Sequence, residues 1–401
     1  MDNGAQNTPS IRRQPRIVII GAGMGGLTLS ASLRQRGIES TVYEQAPAFA
    51  RIGAGIQMGP NAVKVLRSLG LEEAVARVSY APPSLDNRDW DTGISTFELP
   101  LGELSRERYG APYYLLHRAD LHEALASIVP HETIHLGHQL VDISLSGGGP
   151  TTLTFANGAS VEADVVVAAD GVHSLVREKL FPHRDPVFTG KVAYRTVFDA
   201  TLAGENQPSL PSTKWWGPDR HIVIYYVSAG KEIYFTTSIP DPDWKTESWS
   251  AEGSVEELRQ ELVGFHPEVQ GILAATPSVH KWAIYDRDPM ESWHLGSVVL
   301  LGDACHPMTP FMAQGAASAM EDATILARLL SEQGFGALEE TFELYEAIRK
   351  PRTSRIQLSS RGNEWLRQAT DPTWVYGYDS TTAPLAPTES EVAAAVAGQE
   401  V

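Results

Sequence analysis

The sequence is short of cysteine, of positive charge and of long apolar runs. Its one cysteine, Cys305, excludes an intramolecular disulfide, so packing must hold the fold together. The formal net charge of -17 argues against nucleic acid or an anionic membrane as a partner, because both would repel such a surface. No run reaches the roughly 18 apolar residues that span a bilayer. We therefore expect a soluble, cytoplasmic protein.

The first part of the chain has the pattern of a nucleotide-binding α/β fold. Residues 1–15 are polar, lack the apolar core of a signal peptide and are expected to form a disordered leader. Residues 16–20 predict a strand, residues 27–35 a helix and residues 40–44 a second strand. Such a βαβ unit predicts parallel strands covered by helices, which is a Rossmann-like arrangement.

A change in the residue pattern after about residue 185 predicts a second, inserted domain. Residues 186–285 consist of alternating, aromatic-rich pieces separated by Gly, Pro and Asp, which is typical of a mostly antiparallel sheet. An apolar strand at 297–301 and a helix at 315–330 then return to the first pattern. We predict a discontinuous dinucleotide-binding domain over 16–185 and 286–335, a substrate-binding β-sheet domain over 186–285, a C-terminal helical region over 336–379 and a flexible tail over 380–401.

Glycines between the first strand and helix predict a pyrophosphate site. Gly21, Gly23 and Gly26 have the spacing in which the first allows a tight turn, the second a close approach of backbone to phosphate, and the third close packing of helix on strand. Gly25 lies in the same turn. About 20 residues on, Glu44 ends a strand where it can bind a ribose hydroxyl, and its charge would repel a 2′-phosphate. The site predicts FAD or NAD(H).

Two later strand ends favour a flavin. Asp303 follows an apolar strand and precedes a helix that opens at Gly315 and Ala316. A carboxylate there can accept hydrogen bonds from a ribityl chain, and the helix N-terminus can stabilise negative charge on the flavin ring. Between these motifs, Asp170-Gly171 ends another strand, and Arg177 is placed to hold a phosphate or a structural carboxylate.

These motifs together resemble the single-component FAD-dependent aromatic hydroxylases, the class that includes para-hydroxybenzoate hydroxylase and salicylate hydroxylase. Within that class the chain is most similar to the 6-hydroxynicotinate 3-monooxygenase group, over about residues 16–379. The motifs that carry this resemblance include Lys214-Trp215-Trp216, Asp219-Arg220-His221, Met312-Ala313-Gln314-Gly315-Ala316 and Trp374-Val375-Tyr376-Gly377-Tyr378-Asp379. The Trp-Trp segment and the terminal Trp-Val-Tyr-Gly-Tyr-Asp are the most specific of them.

The resemblance implies which residues bind a non-covalent FAD. Glu44 and Gln45 would contact the adenosine ribose and Leu140 the adenine region. Arg118 would contact the cofactor, although by its position alone it could equally be a surface cation. Asp303, with Gly315 and Ala316, would hold the ribityl chain and the ring.

The resemblance also implies a reaction. In this class FAD is reduced by NADH or NADPH as a transient co-substrate, captures O2 as a C4a-hydroperoxide and hydroxylates an electron-rich ring. A hydroxylated ring becomes a stronger nucleophile when its hydroxyl loses a proton, so a base is needed. His221 is the candidate base, and Tyr225 shares its face of a strand. A packed or surface histidine is the competing interpretation.

The expected substrate pocket departs from the family pattern. Its residues are Gln57, Ser212, Val223 and Phe311. Histidines stand at the positions of Gln57 and Phe311 in the hydroxynicotinate enzymes, and a cysteine at that of Ser212. Gln57 can still form hydrogen bonds but carries no charge, and Phe311 supplies only apolar area. The expected substrate is therefore a small aromatic or pyridine acid related to 6-hydroxynicotinate, hydroxylated with or without decarboxylation.

Several alternatives stay open at this point. The chain could hydroxylate another phenolic acid such as salicylate, be a plain NAD-dependent dehydrogenase, or be a non-catalytic flavoprotein of the same fold. The Trp-x-Trp-x-Ile-Pro signature of flavin halogenases is absent from the sequence. The scattered histidines predict no metal site, since a metal needs three or four convergent ligands. The protein is expected to be a monomer or a homodimer without membrane or nucleic-acid partners.

Overall fold

The computed structural model describes residues 14–51, 53–182, 184–246 and 251–387. Residues 1–13 of the expected leader and residues 388–401 of the expected tail lie outside the described part. The strands in chain order are β1 Ile17–Ile20, β2 Thr41–Tyr43, β3 Gly55–Met58, β4 Ser84–Asp89, β5 Ser95–Pro100, β6 Tyr114–His117, β7 Ile134–His135, β8 Leu140–Ser144, β9 Thr151–Phe155, β10 Ser160–Ala163, β11 Val165–Ala168, β12 Val187–Asp199, β13 Ser212–Trp216, β14 His221–Val227, β15 Glu232–Pro240, β16 Glu252–Gly253, β17 Val279–Asp286, β18 His294–Leu295 and β19 Val298–Leu300.

The α-helices complete the set of regular elements. They are α1 Met24–Arg34, α2 Pro60–Ser68, α3 Glu72–Val78, α4 Gly102–Tyr109, α5 Arg118–Ser127, α6 Leu175–Leu180, α7 Val255–Glu261, α8 Pro267–Ala275, α9 Gly315–Gln333, α10 Leu338–Arg361 and α11 Thr373–Tyr376. None of these helices, within the described part of the chain, is both long and apolar enough to cross a bilayer.

A six-stranded sheet carries the predicted βαβ unit. Its order is β18-β19-β11-β1-β2-β7, with β19, β11, β1, β2 and β7 parallel and β18 antiparallel at the edge. Strands β1, β11 and β19 are buried along their whole length, as strands covered by helices on both faces must be. The α/β, Rossmann-like fold class is confirmed.

An eight-stranded sheet forms the second large layer. Its order is β16-β17-β12-β15-β14-β13-β4-β5, and every neighbouring pair is antiparallel except β13 with β4. One face buries Trp215, Ile222, Ile224 and Phe235 against residues of α7 and α8 in a separate apolar core. The other face is free to line a cavity.

The eight-stranded sheet reaches beyond the segment in which it was expected. Strands β4 and β5 come from residues 84–100, far ahead of the predicted range 186–285. The sequence of β4, Ser-Leu-Asp-Asn-Arg-Asp, is too polar to show a strand pattern, and its pairing with β13 is long-range. The predicted domain boundaries stay a prediction.

The described start of the expected tail packs against α9. Ser380 is buried, and Arg328 Nη1 donates to the carbonyl oxygens of Ser380 and Ala383, at 2.8 Å in both cases. Ser380 and Ala383 are therefore held against the helix that begins at Gly315.

Candidate functional site

A cleft lies where the parallel strands of the six-stranded sheet end. Gly21 follows β1, Glu44 follows β2, Asp170 lies two residues past β11 and Asp303 three residues past β19, and these strands are neighbours. Ligands of open α/β sheets bind at this carboxyl edge. The fold thus brings together the motifs that the sequence analysis selected.

The glycine turn leaves room for a side chain at one position and none at three others. Gly21 has φ +101°, and a Cβ there would lie 2.3 Å from the carbonyl oxygen of Ala169. A Cβ on Gly26 would lie 2.0 Å from the carbonyl oxygen of Gly21, while one on Gly25 would meet a side chain at the end of β19. At Gly23 no described atom lies within 4 Å of such a Cβ. Packing thus explains Gly21, Gly25 and Gly26, whereas Gly23 borders open space.

Glu44 links the glycine turn to the next loop. Its Oε2 accepts the backbone N–H of Ala22 and its Oε1 that of Ala46, each at 2.8 Å. A carboxylate has about four lone-pair directions, so both oxygens can also accept a hydroxyl hydrogen bond. Gln45 beside it is exposed at the mouth of the cleft.

Leu140 lies behind this end of the cleft. It begins β8 and its Cα pairs with that of Phe155, whose ring stacks on Tyr43 with 4.8 Å between centroids. Tyr43 immediately precedes Glu44. The structure therefore places Leu140 near the Glu44 loop.

Arg118 and Asp303 lie close enough together in the cleft for their charges to attract each other. Both side chains are reached by solvent, yet protein surrounds them closely enough to shift their pKa values. Desolvation raises the pKa of Asp303 and lowers that of Arg118, and the attraction between the two opposes both shifts. A Cβ on Gly315 would lie 3.7 Å from Asp303 Oδ1, so α9 begins at Gly315 and Ala316 directly against this carboxylate.

Arg177 has a different role from the one expected. Its Nη1 donates to the carbonyl oxygens of Ala304 at 2.9 Å and Asp303 at 3.3 Å, and its Nη2 to that of Val172 at 2.5 Å. The observed partners are thus backbone carbonyls, where the sequence had suggested a phosphate or a carboxylate. The guanidinium fixes the loop that carries Asp303. Nearby, Asp170 Oδ1 is buried without a hydrogen-bond partner among the described residues, and desolvation raises the pKa of its carboxyl group.

A cavity of about 730 Å³, partly open to solvent, lies between the free face of the eight-stranded sheet and the turn at residues 310–313. On the sheet side, cross-strand pairs place Trp216 beside His221, Lys214 beside Val223 and Ser212 beside Tyr225. Side chains two apart on a strand share a face, so all of these point to the same side.

The predicted pocket residues meet around this cavity. Its lining includes Gln57, Ser212, Val223, Phe311 and the candidate base His221. The edge of the Phe311 ring faces the His221 ring, with 5.7 Å between centroids.

Tyr225 is connected to the cavity through Gln57. It is buried, packs on Tyr234 with 4.9 Å between ring centroids, and lies close enough to Gln57 for that amide to act on the pKa of its hydroxyl. On the other side, the Tyr113 hydroxyl donates to Gln57 Oε1 at 2.5 Å. Gln57 thus lies between two tyrosine hydroxyls. Tyr113 was missed by the sequence analysis, because only the pairing of β3 with β6 brings it to Gln57.

The cavity keeps its histidine and tyrosine neutral. Burial, followed by the positive charges of Lys214, Lys191 and Arg367, holds the pKa of His221 well below its usual range. Burial also raises the pKa of Tyr225 well above 10. At neutral pH the imidazole can accept a proton, and the phenol remains a hydrogen-bond donor.

Comparison with known proteins identifies the family. The family model described as "FAD binding domain" matches residues 15–359. 6-Hydroxynicotinate 3-monooxygenase of Bordetella bronchiseptica is 41% identical over 374 residues, which cover 93% of this chain and 97% of that protein. The chain belongs to the FAD-dependent aromatic monooxygenases.

Other members of this family extend the similarity. The 6-hydroxynicotinate 3-monooxygenase of Pseudomonas fluorescens is 41% identical over 95% of this chain and 100% of that protein. 3-Amino-4-hydroxybenzoate 2-monooxygenase PtmB3 of Streptomyces platensis is 38% identical over 92% of this chain and 97% of that protein. The solved substrate complex of salicylate hydroxylase has a TM-score of 0.77 and 26% identity, covering 95% of this chain and 98% of that one.

The cleft of this monooxygenase fits FAD. The open space at Gly23 lies at the N-terminus of α1, where backbone N–H groups and the helix dipole favour a pyrophosphate. Asp303 and the start of α9 lie at the other end, accessible in a cleft that protein otherwise surrounds. An elongated dinucleotide with a flavin at the α9 end matches both features.

A buried ionic network behind the flavin end of this monooxygenase was not foreseen. Arg349 donates from Nε to Asp322 Oδ1 and from Nη2 to Glu321 Oε2, each at 2.7 Å, and Arg352 Nε donates to Glu321 Oε2 at 2.8 Å. His306 bonds Asp322 at 2.5 Å. Two adjacent acids inside the apolar sequence of α9 were the available signal.

The same network includes a group with metal-ligand atoms. Cys305, His306 and Asp322 place such atoms within 4.8 Å of one another. His306 and Asp322 bond each other. The positively charged Arg349 guanidinium is also bonded to Asp322, and its charge would repel a cation. The expectation of no metal site stays a prediction.

Proposed function

We propose that this monooxygenase uses NADH or NADPH and O2 to hydroxylate a ring acid that carries a hydroxyl group, namely 6-hydroxynicotinate or a close relative. Release of the carboxylate as CO2 would accompany hydroxylation if the attacked carbon carries it. The observation that carries the proposal is the cavity that His221 and Gln57 both line, beside the turn that leads into α9. Two relatives at 41% identity bear the corresponding name, which supports this substrate class.

The cavity suits a single substituted ring. Its lining combines apolar surface with a few polar groups, as small-molecule sites do. Phe311 and Val223 offer apolar surface, and Gln57, Ser212 and His221 offer polar groups. Loss of the hydroxyl proton would make the ring a stronger nucleophile, and neutral His221 is the group proposed to accept that proton.

FAD, when bound, supplies the redox chemistry by accepting electrons from NAD(P)H and activating O2. This chain's part is to hold and orient it. Gly23 and the start of α1 would take the pyrophosphate, Glu44 and Gln45 the ribose, and Arg118 and Asp303 the flavin side.

Three positions favour a relative of 6-hydroxynicotinate over that acid itself. Gln57 and Phe311 replace histidines of the hydroxynicotinate enzymes, and Ser212 replaces a cysteine. The Gln57 amide oxygen already accepts a hydrogen bond from Tyr113, so the hydrogen-bonding capacity of the amide is partly used. A ring with a different or smaller acidic substituent would suit this side of the cavity.

A substrate panel tests the proposal. The FAD-loaded enzyme is offered 6-hydroxynicotinate, 3-hydroxybenzoate, 3-amino-4-hydroxybenzoate and salicylate, with NADH and NADPH in parallel. NADH consumption and product mass are both recorded, because consumption alone can reflect peroxide release. The proposal fails if no hydroxypyridine or hydroxybenzoate acid yields a product 16 mass units heavier, or its decarboxylated counterpart.

Replacing His221 by alanine should slow hydroxylation by about 10²-fold or more, the usual contribution of a general base. The residue lines the cavity away from the glycine turn, so FAD content should stay near that of the parent. Single-turnover product formation and the flavin absorbance per chain measure the two effects.

The matched control is His131→Ala, which removes an exposed histidine outside the cavity. It should leave both quantities unchanged. Undiminished turnover in His221→Ala would remove His221 as the base. Equal losses of turnover and of FAD would make its role structural.

A further inference from the structure

Lys214 places a positive charge in the wall of the cavity beside the candidate base. Its Cα pairs with that of Val223, and its side chain lies on the face that carries His221. Among the described residues that line the cavity, Lys214 is the one lysine or arginine. Its Nζ lies over the Trp216 ring, 3.8 Å from the centroid, where an ammonium group is stabilised by the ring face.

Few other charges act on this amine. Glu364 attracts the ammonium and Arg367 repels it, both from the segment after α10. Asp86 also lines the cavity, but its carboxylate accepts from Arg88 Nε at 2.5 Å. Lys214 is therefore not committed to a carboxylate of the cavity wall. Burial lowers its pKa to about 7, so near neutral pH the amine is divided between the neutral and the charged form.

Lys214 also has a direct electrostatic effect on His221. After burial, the Lys214 charge is the largest influence that lowers the pKa of His221. A proton taken from a ring hydroxyl between the two groups would therefore not rest on the imidazole. It would rest on the amine, which has the higher proton affinity of the pair.

We infer that Lys214 holds the oxyanion of the substrate ring and retains the proton that the hydroxyl loses. The hydroxyl O–H bond breaks, its electron pair stays on oxygen, and the proton passes through His221 to the neutral amine of Lys214. The product is an ammonium–oxyanion pair, and no proton is exchanged with solvent. This inference rests on the proposed hydroxylated substrate, and it adds a substrate-activating residue that the sequence analysis assigned only to a motif.

Binding to the oxidised, FAD-loaded enzyme without NADH tests the inference separately from turnover. Ultraviolet absorbance reports the ionisation of bound 6-hydroxynicotinate, flavin absorbance reports binding, and an indicator dye at about pH 8 reports proton release. In the parent enzyme, bound ligand should ionise about one to three pH units lower than free ligand, the range for an opposite charge nearby. Net proton release at about pH 8 should be close to zero.

Two substitutions separate charge from proton acceptance. In Lys214→Met the bound ligand should ionise in the same pH range as the free ligand. At about pH 8 its binding should therefore still release no proton. In Lys214→Arg the bound ligand should still ionise at a lower pH than the free ligand. About one proton per ligand should then appear in solvent, because a guanidinium is always protonated and cannot accept the proton that the hydroxyl loses. Lys231→Met, which changes an exposed lysine just ahead of β15, is the matched control and should resemble the parent.

Each result has one meaning. If Lys214→Met leaves the ionisation of the ligand unchanged, the inference is wrong even where the parent hydroxylates its substrate. Nicotinate has no hydroxyl. If Lys214→Met weakens the binding of nicotinate as much as the binding of 6-hydroxynicotinate, Lys214 binds the carboxylate and the oxyanion role is wrong. If the parent binds no hydroxylated ring acid of the panel, the proposed substrate class fails first. Met keeps the length of Lys and removes a charge that is costly to bury, so the variant should fold and load FAD.

Discussion

Replacing Gly26 by alanine is expected to destabilise the fold by at least about 3 kcal/mol, at the upper end of the cost of overpacking a core. The new Cβ would lie 2.0 Å from the carbonyl oxygen of Gly21 and 3.3 Å from Ile19 Cγ2. The oxygen belongs to the backbone, so no rotamer change relieves the contact. Helix α1 would have to move off β1, which lies in the centre of the six-stranded sheet. Urea denaturation of the FAD-free protein, followed by tryptophan fluorescence, measures the loss.

Gly23→Ala is the matched variant for this prediction. Gly23 has φ -74°, which alanine adopts readily, and no described atom lies within 4 Å of the new methyl group. The free energy of unfolding should fall by about 1 kcal/mol or less, the cost of a poorer helix N-cap. FAD should nevertheless bind at least about tenfold more weakly, which corresponds to about 1.4 kcal/mol, because the methyl group occupies the space left for the pyrophosphate. Equal stability losses in the two variants, or normal FAD affinity in Gly23→Ala, would contradict this division of roles.

The cofactor cleft could be predicted because its motifs are local. Each consists of a strand end followed by a glycine or an acid, and parallel strands bring such ends to one edge of a sheet whatever the length of chain between them. Gly21, Glu44 and Asp303 are therefore found together without knowledge of the loops. Arg177 shows the limit of this reasoning, since its partners are carbonyls that only the folded loop presents.

The substrate cavity could be predicted only on one side. The alternation of β14 places His221 and Tyr225 on one face from sequence alone. The pairing of β13 with β14 brings Ser212 to the same face. The opposite wall is assembled from distant segments, and Tyr113 reaches Gln57 through strand pairing that no local pattern reveals. Strand β4 was not predicted for the same reason: its polar sequence forms a strand because it pairs with the distant β13.

The ionic network between α9 and α10 could not be predicted from the periodicity of the sequence. Glu321 and Asp322 lie among apolar residues, and their partners Arg349 and Arg352 lie on α10. Burial alone raises the pKa of each carboxyl group, but the neighbouring guanidinium groups and His306 outweigh it, and the net shift is downward. The four charges therefore depend on one another.

Replacing Arg349 by methionine is expected to lower the free energy of unfolding by about 3–5 kcal/mol, the cost of breaking a buried ion pair on one side. Arg349 is fully buried and bonds both Glu321 and Asp322. Its loss leaves Asp322 with His306 as its remaining side-chain partner and removes one of two arginines from Glu321. Because Asp322 also accepts the N–H of Gly302 at 3.2 Å, the loop carrying Asp303 should loosen and FAD affinity should fall as well.

The pH dependence distinguishes loss of charge from loss of packing. The depressed carboxylate pKa values of Glu321 and Asp322 stabilise the fold above their unfolded values of about 4, and this stability is lost as the pH falls through the lower folded values. The difference between parent and Arg349→Met should therefore be largest near neutral pH and shrink on acidification, since a protonated acid needs its arginine less. Arg355→Met, an exposed arginine of the same helix that lies over the Trp374 ring, should cost about 1 kcal/mol or less at every pH. A loss in Arg349→Met that stays constant with pH would mean that packing, and not the ionic network, holds α9 in place behind the flavin.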